Sequence, residues 1–160
     1  MSINSRFHKH TVQLICLFAG LFIFSACEKT PPQPTYTPPD SSFGLIYSNI
    51  FATSCALSGC HVSGEESPLL AGEDVYQSIV GVLAANGEAR QLGLQLIKPA
   101  DVDSSFMYQK LVYDSTAFPF GAPMPQGGLS LSDNQIAFVK EWIEAGAPQL
   151  GHIADRFLIE

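Results

Sequence analysis

The chain has 160 residues with 46% hydrophobic and 14% charged side chains, and carries a formal net charge of −7. That is enough chain for one hydrophobic core, and the acidic balance argues against nucleic acid and against direct docking on anionic headgroups. With four cysteines and four histidines in the whole sequence, where these residues cluster carries information.

In chain order, residues 1–26 read as a targeting segment. Arg6 and Lys9 give a positive start, and Val12 to Phe24 is a hydrophobic run broken only by Gln13 and Gly20. The run is too short for a spanning helix, which needs about 20 apolar residues. It closes with Phe24-Ser25-Ala26-Cys27, which resembles the lipobox of bacterial lipoproteins; the resemblance implies cleavage before Cys27 and lipid on its thiol. Cleavage would remove Cys16, Arg6 and Lys9 and leave a more acidic mature chain with Cys55 and Cys60 as its unassigned thiols. Residues 27–40 then form an anchor and a proline-rich, semi-rigid tether. The folded domain is expected over 41–150, with 151–160 as a tail.

Four helices are predicted, with no repeat and no alternating strand pattern, so the expected class is all-α. The first spans Ser42 to Thr53, with Phe43, Ile46, Tyr47, Ile50 and Phe51 at i, i+3, i+4, i+7 and i+8. The second runs from Gly72 to Ala84, with Glu73 and Asp74 near its start, and the third from Asp103 to Tyr113. The fourth follows Ser132, which with Gln135 makes a capping box, while Leu131 and Ile136 form a staple. Its apolar face is Ile136, Val139 and Ile143, widened by Phe138 and Trp142, and Gly146 stops it. A Gly- and Pro-rich loop, Asp114 to Ser130, joins the third helix to the fourth.

Two patterns carry chemistry. Cys55-Ala56-Leu57-Ser58-Gly59-Cys60-His61 offers two thiols and an adjoining imidazole. Thiols so placed can close thioethers to a porphyrin while the imidazole reaches its iron, although the usual box has two residues between the cysteines and this one has four. Pro123-Met124-Pro125, sixty residues on, holds a thioether between two residues of restricted backbone. Histidine and methionine together are the axial pair of cytochromes c. Met107 is the competing sulfur, though its place between Phe106 and Leu111 suits core packing better. Leu69, Leu70, Ile79, Leu96 and Leu111 are candidates for an apolar crevice and Trp142 for the core beside it; Arg90, Lys98 and Lys110 could meet propionates, though each reads first as a solvated surface charge.

From roughly Ile50 to Pro148 the chain resembles the small haem c domains of exported bacterial lipoproteins in the class I cytochrome c group. The matching residues are Ile50-Phe51 before the Cys-His box, Leu96-Ile97-Lys98-Pro99-Ala100-Asp101, Ser105 to Leu111, Met124-Pro125, and Leu131-Ser132-Asp133 to Trp142-Ile143-Glu144-Ala145-Gly146-Ala147. The resemblance implies a cytochrome c-like helical fold, one covalent haem c on Cys55 and Cys60, and axial ligands His61 and Met124. It further implies a one-electron carrier rather than an enzyme. Its surroundings would be the bacterial envelope, inner or outer membrane, with redox proteins as partners. The departures are the two extra residues in the box and Val62 where such domains often carry Gly.

Two alternatives stay open. Cys55 and Cys60 could close a disulfide, leaving a haem-free binding or scaffold lipoprotein. Zinc could use Cys55, Cys60 and His61, although a tetrahedral site needs a fourth donor such as His152.

Overall fold

The computed structural model describes residues 37–62, 66–113, 119–127 and 130–159, all within the unit Pro34–Glu160. The targeting segment, Cys27 and residues 28–36 of the tether lie outside them, as do 114–118 and 128–129 of the Gly- and Pro-rich loop. The fold is all-α, and the described residues form no sheet. Among them no helix is long and apolar enough to cross a membrane.

The first helix begins as an α-helix, α1 (Ser42–Ile46), and continues without a break as a π-helix, Tyr47–Cys55. The predicted span is present and runs two residues further, with a wider second half. Ser41 caps it by accepting from Gly44 N at 3.0 Å, and its buried hydroxyl donates to Gln149 O at 2.9 Å. The residues after Pro148, which show no periodic pattern, are tied to the same end. Ser42 N donates to Gly151 O at 3.0 Å, while Ile153 N and Ala154 N donate to Ser42 Oγ at 3.0 and 3.1 Å.

The expected helix from Gly72 to Ala84 is reduced to α2 (Val75–Ile79). The chain leaves the helix at Val80, where ψ is 121°, and Gly81 follows at φ 75°. A positive φ suits Gly, and the β-branched Val80 and Val82 on either side favour extended backbone. Val80 and Leu83 instead bridge Ile97 and Gln95. A short helix absent from the sequence reading, α3 (Gly87–Gln91), follows, its N-terminus capped by the Asn86 side chain accepting from Glu88 N and Ala89 N. Five residues are too few to show periodicity.

The third predicted helix is α4 (Phe106–Val112), which starts three residues later than expected. Before it, Asp101 Oδ1 accepts from Ser104 N at 3.0 Å, and the buried Ser105 hydroxyl donates to Asp101 O at 2.7 Å. Those bonds hold the approach as a turn. The last predicted helix is α5 (Asp133–Glu144), with both halves of the Ser132–Gln135 capping box formed and Gly146 at φ 95° beyond its end.

α5 packs against both α1 and α4. Between them lie fully buried Phe43, Ile46, Phe138, Trp142 and Ile143. The Phe43 ring sits edge-on to Tyr76 at 5.2 Å and tilted against Trp142 at 5.9 Å. Polar ends inside this core are satisfied: Trp142 Nε1 donates to Pro148 O at 2.9 Å, and Tyr76 OH to Ala147 O at 2.8 Å.

Candidate functional site

A cavity of about 560 Å³ opens beside this core, within the roughly 300–1,000 Å³ of small-molecule and cofactor pockets. Cys55, Cys60, His61 and Met124 all line it. Four residues spread over seventy positions of chain thus meet around one space.

The π-helix is what turns Cys55 toward that space. Ile46, Ile50, Phe51, Ser54 and Cys55 line the cavity, a spacing of i, i+4, i+5, i+8 and i+9. An α-helix with 3.6 residues per turn would make about two and a half turns between Ile46 and Cys55, placing them on opposite faces. Bonding from i to i+5 makes each turn wider, so the same stretch closes close to two turns and both residues share a face. Ala56 N, donating to Phe51 O at 2.7 Å, ends the helix in that register.

The four residues between the cysteines are folded up rather than strung out. Cys60 N donates to Leu57 O at 2.9 Å across a tight turn whose third residue, Gly59, has φ 77°. His61 N donates back to Cys55 O at 3.2 Å, so the two ends of the longer box meet. Both cysteines are free thiols of intermediate exposure. Burial, with Cys60 beside it, pushes the Cys55 thiol up to about 11. Such a thiol stays protonated near neutrality, unlike the depressed thiol of a cysteine nucleophile.

His61 is held at both its backbone and its ring. Leu70 N donates to His61 O at 2.8 Å, and His61 Nδ1 lies 2.8 Å from Pro68 O. A carbonyl can only accept, so Nδ1 is the donor and, in the neutral ring, Nε2 is the acceptor nitrogen. A second hydrogen bond of this kind is how proteins orient and tune a histidine bound to metal.

Met124, also on the cavity wall, sits on a loop of residues 119–127 and donates its N–H to Lys110 O of α4 at 2.8 Å. The rival sulfur, Met107, lines the cavity as well, so the geometry brings both methionines to the site. Met107 is fixed by α4, with its N donating to Leu96 O at 3.0 Å.

The remaining expectations divide. Leu70, Leu96, Leu111 and Trp142 line the cavity, and Trp142 is wholly buried. Ile79 is equally buried but belongs to the core behind it, and Leu69 is 42% exposed. Of the three candidate cations only Lys110 reaches the cavity; Lys98 pairs with Asp101 at 2.8 Å and Arg90 is exposed. His152 instead meets Asp40 at 3.0 Å on the surface. Among the described residues no group of three or more His, Cys, Asp or Glu is arranged to hold a metal ion by itself.

Sequence reasoning missed the wall made by Phe120, whose ring meets Phe106 edge-on at 5.8 Å, and the rim residues Glu66 and Gln126, both exposed. Nothing periodic marks a wall built from loops. No protein-family model, curated protein or solved structure matches the chain.

Proposed function

We propose that this domain is a c-type cytochrome that takes one haem in the cavity, covalently held by thioethers at Cys55 and Cys60, with His61 and Met124 as axial ligands. The carrying observation is that two thiols, an imidazole held through Nδ1 and a thioether line one cavity whose other walls are mostly apolar. The donor set fits the group: an imidazole and a thioether are the pair that ligates cytochrome c iron. When bound, the haem supplies a one-electron ferrous–ferric couple.

The chain's own part is to hold and shield. His61 is oriented through Pro68 O, and the apolar walls of Leu70, Leu96, Phe106 and Trp142 would keep water from a bound haem and help to set its potential. With His61 and Met124 both holding the iron, no position would be left there for substrate, so electron carriage is favoured over bond-making chemistry. Lipid on Cys27 and the proline-rich tether would keep the carrier at the bacterial envelope, and its acidic balance suits redox partners with a basic docking face.

Production of the full chain with haem-maturation machinery tests this reading. Red colour should survive denaturation and acid–acetone extraction. A colourless protein with a Cys55–Cys60 bridge would support the scaffold lipoprotein instead.

A further inference from the structure

Pro123 and Pro125 have no N–H, so Met124 supplies the sole backbone donor of the Pro-Met-Pro segment. That donor goes to Lys110 O at 2.8 Å. The Lys110 side chain returns to the same loop: its Nζ donates to Phe120 O at 3.3 Å and also to Ala122 O. It lies 5.8 Å from the centre of the Phe106 ring, and Phe106 in turn packs edge-on against Phe120. One residue of α4 therefore grips the loop ahead of Met124 and at Met124 itself.

The grip has a physical purpose. A thioether is a weak, neutral donor on a flexible side chain, and the segment presenting it has no regular secondary structure of its own. Three carbonyl or amide groups of that loop would otherwise be exchanging with water. An ammonium bonded to two carbonyls in a partly desolvated position is worth more than neutral bonds there.

We propose that Lys110 is the positioning residue for Met124, its ammonium fixing the carbonyls of Phe120 and Ala122 so that the sulfur is presented to the cavity. The proposal rests on the haem reading for its purpose, but the clamp itself is a property of this chain. It assigns Lys110 to the loop rather than to a propionate or to the solvated surface, the two readings open to it from sequence.

The test compares Lys110→Met, which keeps the aliphatic stem and removes the charge, with Lys110→Arg, which keeps the charge. In the ferric holoprotein, added imidazole competes with Met124 for iron. Lys110→Met, which loses both ammonium bonds, should bind imidazole tighter by about tenfold or more, tenfold being the low end for one hydrogen bond to a charged group, and should weaken the long-wavelength band of His/Met haem. Lys110→Arg should restore parental behaviour. In haem-free protein, chymotryptic cleavage at Phe120 should be faster in Lys110→Met while cleavage elsewhere is unchanged. Parental imidazole affinity and parental cleavage at Phe120 in Lys110→Met would overturn the clamp and leave the cytochrome reading standing. A parent protein that carries no haem would overturn the cytochrome reading, and the Phe120 cleavage rate would then decide the clamp alone.

Discussion

The two sides of the cavity are built on different principles. The His61 side is self-contained: within sixteen residues the chain closes a tight turn, returns His61 N to Cys55 O, and fixes both the His61 carbonyl and its ring on the following loop. The Met124 side borrows its order, because the loop hangs on Lys110 and Phe106 of a neighbouring helix. A local ligand needs only a correct turn, whereas a distant one needs a support that is itself correctly folded.

The largest expected effect falls on the self-contained side. On the proposed haem reading, His61→Ala should abolish the low-spin spectrum and leave little stable holoprotein, since the imidazole and the two thiols proposed for attachment share one turn; optical spectra and haem content of purified protein measure this. Trp142 lines the cavity, wholly buried with Nε1 bonded to Pro148 O. Trp142→Ala should destabilise the fold by about 3–5 kcal/mol, read by urea unfolding, and should weaken both ligand sides together.

A selective effect belongs to the borrowed side. Met124→Ala should keep covalent haem but lose the long-wavelength ferric band, while Met107→Ala should keep that band. The reverse outcome would move the distal ligand onto α4 and make the two sides equally rigid.

The smallest effect concerns the turn leading into α4. The Lys98 ammonium, with the Ser104 hydroxyl and N–H, holds the Asp101 carboxyl down at about 2, against an ordinary value of 3.8. A depressed carboxyl favours the folded state once ionised, so its contribution is complete above 3.8 and is lost as pH falls toward about 2. Asp101→Asn should therefore lower Tm modestly at pH 7, and the gap from the parent should close in acid. An equal gap at both pH values would contradict the assignment.

What was legible in the sequence follows the same division. Ser132 and Gln135 announced α5, and the stripe from Phe43 to Phe51 announced the first helix, because caps and periodic apolar residues act locally. The widening into a π-helix was not legible: Phe43, Ile46, Ile50 and Phe51 satisfy either winding, and only the position of Cys55 separates them. The stretch from Val80 to Ala84 misled, since its hydrophobic residues suit a helix face while its backbone pairs with Leu94 to Ile97, a partner fixed by tertiary contact. The cysteines, His61 and Met124 were legible by residue type alone. The Pro68 carbonyl and the Lys110 ammonium were not, for a carbonyl has no sequence signature and a lone lysine resembles any surface charge.

The most direct measurement is the mass of the peptide carrying Cys55 to His61, released by protease from protein matured in a bacterial envelope. A peptide heavier by one haem, with both Cys55 and Cys60 refractory to alkylation after reduction, is the predicted result. A peptide of bare mass, with both thiols alkylated after reduction, would contradict it.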